Sequence, residues 1–158
     1  METLDLKIIG IAIRTTNKEG QSAQDIGKLW EQFYSENLLE KIPNKLSNDI
    51  YSIYTDYKSD YTDEYTAIIG VQVRSLDVIP SGLIGRHFPT ETFEVFTAQG
   101  PMPQAVMDAW LNIWQRDHEL GRKYTYDFEL YGERSQNGAN SEVLIYLATQ
   151  HKNDTESN

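Results

Sequence analysis

Two helices are predicted by apolar residues that recur every three or four positions. The first should begin at Ser22, where Ser22-Ala-Gln-Asp25 resembles a capping box, and the second covers residues 103–120 and ends at Gly121. Both match the i, i+3, i+4, i+7, i+8 template of an amphipathic helix. The matching residues are Ile26, Leu29, Trp30, Phe33 and Tyr34 in the first helix, and Val106, Ala109, Trp110, Ile113 and Trp114 in the second. The two patterns coincide when Trp30 is aligned with Trp110.

Six strands are predicted around these helices, because β-branched and aromatic residues are dense between polar turns. They cover residues 4–15, 51–57, 65–74, 92–98, 124–132 and 141–150. Each of the two predicted hairpins is closed by a polar turn, at 58–64 and at 133–140. Residues 75–89 contain two prolines and two glycines and are predicted to link two halves of the chain.

The predicted order is therefore β-α-β-β, a linker, and β-α-β-β again. We predict one α+β domain made of two repeats, at about residues 4–74 and 90–150, with a frayed polar tail at 151–158. Packed about a pseudo-two-fold axis, the repeats would form an antiparallel sheet with the helices on one side. A ligand cleft would lie between the halves.

The strand predicted at 124–132 has two different faces. Side chains alternate along a strand, so Tyr124, Tyr126, Phe128 and Leu130 share the core face. The opposite face holds Asp127, Glu129 and Tyr131. A carboxylate between neighbours that could shield it from water is either a solvated surface charge or the start of a site.

Composition narrows the classes of function. The 158 residues carry a formal net charge of −10, which disfavours nucleic acid as a direct partner and favours cationic small molecules over anionic ones. The absence of cysteine excludes disulfides, thiolate catalysis and cysteine metal sites. Neither a signal peptide nor a membrane-spanning run is visible, so we expect a cytoplasmic protein with no membrane partner.

An ordered series of motifs resembles the GyrI-like small-molecule-binding domain, also called the bacterial transcription activator effector-binding domain of AraC-type and MerR-type regulators. The series is Ile53-Tyr-Thr-Asp-Tyr-Lys-Ser-Asp60, Tyr65 with Ile69-Gly70-Val71, Phe96 to Pro101, Trp110-Leu-Asn-Ile-Trp114 and Asp127-Phe-Glu-Leu-Tyr131. The resemblance covers residues 4–149. It implies a tandem β-α-β-β fold whose cleft binds amphipathic, often cationic, small molecules. Without a helix-turn-helix domain ahead of the first strand, the chain is similar to standalone, cassette-encoded drug-binding members.

The resemblance implies a role for Glu129, because the glutamate of the family lies on the strand after the second helix and pairs with positive charge on the ligand. Trp110 and Trp114 lie on one helical face and either pack in the core or line the cleft. Tyr54, Tyr57 and Tyr131 flank the central strands, and at least one should contribute a ring or a hydroxyl group. Further candidates for ligand contact are Phe96 and Tyr146.

Other chemistry has little support. Asp56, Asp60, Asp63 and Glu64 lack the spacing and the glycine of an EF-hand, so a solvated turn is the expectation. The histidines at 87, 118 and 151 share no metal-ligand spacing, and no catalytic or nucleotide motif is present, so no cofactor is expected.

Three functions follow. The first is sensing or sequestration of an amphipathic cation without covalent chemistry. The second is hydrolysis of strained cyclopropane-containing compounds, with Glu129 positioning a water as general base. The third is a protein-interaction role, with a separate regulator or gyrase as partner, in which the acidic surface of Asp60, Asp63 and Glu64 acts instead of the cleft.

Overall fold

Six antiparallel strands form a closed ring in this computed structural model, which describes residues 2–150. The strands are β1 (Glu2–Thr16), β2 (Ile50–Thr55), β3 (Glu64–Gln72), β4 (Ile84–Gln99), β5 (Tyr126–Tyr131) and β6 (Glu142–Ala148). Around the ring their order is β1-β3-β2-β5-β6-β4, and β4 closes it by pairing with β1. The predicted α+β class and antiparallel sheet are confirmed, and the tail predicted at 151–158 lies outside the described residues.

Two longer helices, each followed by a single helical turn, connect the strands. They are α1 (Gln21–Ser35), α2 (Leu38–Lys41), α3 (Gln104–Gln115) and α4 (Asp117–Leu120). Short 3₁₀ helices lie at Lys18–Gly20, Glu133–Gln136 and Gly138–Asn140. The element order within each half is the predicted β-α-β-β, and the strand pairings are unchanged when each strand is exchanged for its counterpart in the other half. The pseudo-two-fold axis itself stays a prediction.

The predicted capping box at the start of α1 is wrong. The helix begins one residue earlier, at Gln21, after Gly20 in the left-handed conformation (φ 71°), and no side chain caps it. Asp25 instead accepts hydrogen bonds from the Thr15 hydroxyl at 2.8 Å and from the Gln21 amide at 3.2 Å. The carboxylate therefore ties α1 to the end of β1.

The predicted second helix ends at Gly121 as expected, but it is interrupted. Arg116 leaves helical geometry (φ −103°, ψ 14°) and separates α3 from α4, and Gly121 (φ 64°) then terminates α4. A left-handed residue after the last turn is the usual role of glycine at a helix end.

The predicted linker at 75–89 is too long at its C-terminal end. Strand β4 already begins at Ile84 and contains Pro89. Between Leu4, opposite Glu91, and Leu6, opposite Phe88, the register with β1 shifts, so Pro89 lies at a bulge. A proline, which donates no hydrogen bond, is tolerated at such a position inside a strand.

The interior of the ring is filled by apolar side chains from all six strands. This cluster contains Leu6, Ile8, Tyr51, Ile53, Ile68, Phe88, Phe93, Tyr126, Phe128, Tyr146 and Ala148. The outer faces of β1, β3, β4 and β6 are apolar as well, because the helices cover them: α1 packs Leu29 and Phe33 on β1 and β3, and α3 packs Val106 and Ile113 on β4 and β6. Apolar residues on both faces are the reason why strict alternation is weak in these strands.

Strands β1 and β3 approach closely at two glycines that lie opposite each other, Gly10 and Gly70. A Cβ atom on Gly10 would lie 2.1 Å from the carbonyl oxygen of Ile69, and one on Gly70 would lie 2.4 Å from that of Ile9. The close approach therefore requires glycine at both positions.

Among residues 2–150, none of the helices has both the length and the apolar character needed to span a membrane.

Candidate functional site

A cavity of about 390 Å³ lies between α1 and α3, over the outer face of β2 and β5. Helix α1 contributes Ala23, Ile26 and Trp30, and α3 contributes Val106, Trp110 and Trp114. The aromatic residues of the lining are Trp30, Tyr54, Tyr57, Tyr61, Tyr65, Trp110, Trp114 and Tyr131. An aromatic cavity with few polar groups suits a ligand with a large apolar surface.

Glu129 lies at the floor of this cavity, in the middle of β5, and only 3% of its surface is exposed. Its Oε2 atom accepts hydrogen bonds from the Tyr54 hydroxyl at 2.8 Å and from Trp110 Nε1 at 2.7 Å. Its Oε1 atom accepts one from the Tyr131 hydroxyl at 2.6 Å. Three neutral donors thus hold the carboxylate in place without supplying a positive charge.

The surroundings of Glu129 change its acidity. Burial raises the pKa of Glu129 above its usual value, because removal from water disfavours the charged form, while the hydrogen bonds from Tyr131, Tyr54 and Trp110 oppose that shift. Burial, and then repulsion from Glu129, raises the pKa values of Tyr54 and Tyr131 well above the usual range. Both tyrosine hydroxyls therefore stay protonated and available as donors at neutral pH.

Asp127 has a different environment two residues earlier on the same face. It is completely buried, and its Oδ2 atom accepts from Arg122 Nη2 at 2.9 Å and from the Tyr57 hydroxyl at 2.6 Å. Its Oδ1 atom accepts from the backbone N–H of Ala148 at 2.8 Å. Burial alone would lower the pKa of Arg122, but the attraction and hydrogen bond of Asp127, together with the interactions of Tyr57 and Tyr124, outweigh it and hold that pKa above the usual value. Asp127 is therefore a neutralised structural charge.

Trp110 contacts both Glu129 and Arg122, the ion-pair partner of Asp127. Its Nε1 atom donates to Glu129, and the guanidinium carbon of Arg122 lies 5.7 Å from the centroid of its ring. The ring of Tyr54 meets Trp110 edge to face, with centroids 5.7 Å apart. These contacts fix the orientation of the indole at the boundary between the cavity and the buried ion pair.

The structure brings six of the eight predicted site residues into the cavity lining: Glu129, Trp110, Tyr131, Tyr54, Tyr57 and Trp114. The other two lie elsewhere. Tyr146 points into the ring and stacks on Phe128 with centroids 4.5 Å apart, and Phe96 packs with the apolar cluster beneath α3. Tyr124, predicted on the core face of β5, precedes that strand at φ 60° and packs against Tyr57 and Arg122.

Sequence reasoning missed three aromatic residues of the lining, Trp30, Tyr61 and Tyr65, and the cation Arg122. A signal for Trp30 was present, since it aligns with Trp110 in the two helical patterns. Tyr65 follows from the pairing of β3 with β2, which brings its ring 5.8 Å from that of Tyr54. Tyr61 lies in a loop, and Arg122 lies in the short segment between α4 and β5, where no periodicity indicates the direction of a side chain.

An antiparallel ring of strands with an aromatic cavity between two helices is suited to a domain that binds small molecules. The chain belongs to the family of integron-associated effector binding proteins, Cass2, whose sequence profile matches residues 1–149. The resemblance to GyrI-like effector-binding domains is thereby confirmed.

Three relatives illustrate the range of similarity. A candidate transcriptional regulator of Bacillus subtilis (strain 168), YobU, is 28% identical over 149 residues, which cover 92% of this chain and 93% of that protein. An integron cassette protein of Vibrio cholerae is 28% identical, with a TM-score of 0.73 and 94% of each chain covered. SAV2435, solved with tetraphenylphosphonium bound, has a TM-score of 0.80 at 20% identity, covering 99% of this chain and 96% of that one. At that identity the likeness shows the fold alone.

Proposed function

We propose that this protein binds an amphipathic organic cation in the cavity between α1 and α3, with the carboxylate of Glu129 as counter-charge and without covalent chemistry. One observation carries the proposal. In the part of the chain that the structure describes, no Arg, Lys or His side chain forms an ion pair with Glu129. A buried carboxylate without a cationic partner at the floor of a cavity is suited to a partner that arrives as a ligand.

The electrostatic attraction by Glu129 would be strong enough to favour a positively charged ligand over a neutral one. At an effective dielectric constant of about 20, a unit cation about 6 Å from the carboxylate gains about 3 kcal/mol. The rings of Tyr54, Trp110 and Tyr131 would add cation–π attraction and cover the apolar part of the ligand. Tetraphenylphosphonium is a suitable first probe, because it is permanently charged and occupies a protein of the same fold.

Substitution of Glu129 by Gln tests the proposal. The amide oxygen can replace Oε2 and accept from Tyr54 and Trp110, and the amide NH₂ can face Tyr131, whose hydroxyl turns to accept. The variant thus keeps the shape and loses the charge. Glu40→Gln, at an exposed position of α2, is the matched control for the change in net charge.

Isothermal titration with tetraphenylphosphonium should show affinity about 10- to 100-fold lower in Glu129→Gln, equivalent to about 1.4–2.8 kcal/mol. Glu40→Gln should bind as the wild type does. Equal affinity in wild type and Glu129→Gln would refute the role of Glu129 as counter-charge.

Hydrolysis of strained cyclopropane compounds has less support. A general base needs a free acceptor site that faces a water, and three of the roughly four acceptor sites of the Glu129 carboxylate are taken by side-chain donors. Incubation with such a compound, followed by analysis for a ring-opened product that Glu129→Ala no longer forms, distinguishes turnover from binding.

A gyrase-inhibitor role would depend on the acidic turn between β2 and β3. The carboxylates of that turn accept hydrogen bonds from neighbouring residues of the same turn. Asp60 accepts from the N–H of Thr62 at 2.9 Å, and Asp63 accepts from the N–H of Glu64 at 2.8 Å. These carboxylates therefore shape the turn itself. Charge reversal of Asp60, Asp63 and Glu64 would abolish inhibition in a supercoiling assay if the surface acted on such an enzyme.

A further inference from the structure

Two aromatic rings of the cavity lining, Tyr61 and Trp114, lie face to face. Their ring centroids are 5.4 Å apart and their planes differ by only 9°. Other pairs in the cavity meet edge to face, such as Tyr54 with Trp110 at 81° and Tyr54 with Tyr65 at 89°. Parallel rings offer two flat surfaces, which edge-to-face pairs do not.

The rings of Tyr61 and Trp114 lie on different kinds of element, one on a loop and the other on a helix. Trp114 is fixed near the end of α3, next to the buried Ile113 that anchors the helix on the sheet. Tyr61 lies in the loop of residues 56–63 between β2 and β3, and no residue of that loop is buried. The backbone oxygen of Tyr61 is held by Asn17, but its ring contacts only Trp114 among the ring pairs formed by described residues. Trp114 therefore lies on a helix that is anchored in the core, whereas the ring of Tyr61 is carried by a loop without buried residues.

We propose that Tyr61 and Trp114 form an aromatic clamp that takes a flat aromatic group of the ligand between them. The proposal rests on the proposed function for the position of the cation at Glu129. Trp110, which donates to Glu129, precedes Trp114 by one helical turn, and four residues of helix advance about 6 Å. The ligand class is then a monocation that carries a flat aromatic group close to its charge.

A matched pair of probes separates flatness from size and charge. Trimethyl(2-naphthylmethyl)ammonium carries a flat ring system one carbon from its cation. Its decalin analogue has the same charge and a similar carbon skeleton, but its saturated rings are too thick to stack. Affinity for both probes would be measured by isothermal titration in wild type, Tyr61→Ala, Trp114→Ala and Glu129→Gln. Leu46→Ala truncates an exposed apolar side chain outside the cavity lining and is the control.

Loss of one stacking partner should lower affinity for the naphthyl probe about 5- to 10-fold in Tyr61→Ala and in Trp114→Ala. Affinity for the decalin probe should change less than about twofold in Tyr61→Ala. Leu46→Ala should match the wild type with both probes. Tyr61→Ala lies on a partly exposed loop, so a folding defect does not obscure the result.

The clamp is overturned if Tyr61→Ala lowers affinity for both probes equally, or for neither. The clamp would also be overturned if Tyr61→Ala changed only the association rates of the probes. Tyr61 would then control entry to the cavity and would not stack on the bound ligand. Glu129→Gln tests the cation site separately, because it should lower the affinity for both probes by the same factor. Selective loss in Tyr61→Ala without any effect of Glu129→Gln would keep the clamp and refute the counter-charge.

Discussion

Asp127 and Glu129 are two residues apart on one face of β5, and Arg122 neutralises only the first of them. The Arg122 Nη2 atom lies 2.9 Å from Asp127, whereas Glu129 is held by Tyr54, Trp110 and Tyr131 alone. The same strand thus presents one carboxylate with an internal cationic partner and one that is held by neutral donors. Under the proposed function, the second carboxylate is the counter-charge of the ligand.

Ligand affinity should depend on pH through Glu129. Its pKa is raised by burial, and a cation is attracted only by the ionised form, so affinity should be highest above this pKa. Below it, affinity for tetraphenylphosphonium should fall about 10- to 100-fold, towards that of Glu129→Gln, because the ligand itself does not titrate. Titrations between about pH 4 and pH 8 check this. In Glu129→Gln the profile should be flat, and a profile parallel to that of the wild type would assign the dependence to another group.

The midpoint of that pH profile should move upward in Tyr131→Phe. The hydroxyl of Tyr131 donates to Oε1 at 2.6 Å and lowers the pKa of Glu129, so its removal lets the effect of burial dominate further. The same titration series measures the midpoint. Tyr51→Phe removes a hydroxyl that donates to Gln72 instead, and it should leave the midpoint in place. A midpoint that is unchanged in Tyr131→Phe would contradict the assigned cause.

The ion pair of Arg122 and Asp127 should be important for stability. Both side chains are almost completely buried, so Arg122→Met would leave Asp127 without its partner and lower the free energy of unfolding by about 3–5 kcal/mol. Urea denaturation measures the loss. The double variant Arg122→Met/Asp127→Asn should recover part of it, because no unpaired charge then remains. Additive losses in the double variant would show that the two residues stabilise the fold independently.

Substitution of the glycine pair in β1 and β3 should also destabilise the ring. In Gly10→Ala the new Cβ would overlap the Ile69 carbonyl oxygen, a backbone atom that has no room to yield, so we expect a loss of about 1–3 kcal/mol or more. Gly27→Ala in α1 is the control. Nothing lies within 4 Å of its Cβ, and helix propensity predicts a gain of about 0.5–1 kcal/mol there. Thermal unfolding distinguishes the two, and a Gly10→Ala protein as stable as the wild type would refute the close approach.

The sequence predicted the face of Glu129 correctly, because the alternation in Tyr126-Asp-Phe-Glu-Leu-Tyr131 is unbroken. It failed for Tyr146, since both faces of β6 are covered and an aromatic residue suits either. It also failed for Arg122, whose ion pair with Asp127 depends on how the chain turns after Gly121. The pattern of apolar and polar residues therefore predicts which way the side chains of a strand point only where one face of that strand is polar.

Every strand of the ring has a hydrogen-bonded neighbour on both sides. The floor of the cavity, formed by β2 and β5, is therefore unable to spread without breaking backbone hydrogen bonds. If the proposed ligands differ in shape, the difference has to be taken up by the walls, through the side chains of α1 and α3 and the loop that carries Tyr61. The closed ring would then keep the carboxylate of Glu129 at one position whatever the outline of the ligand.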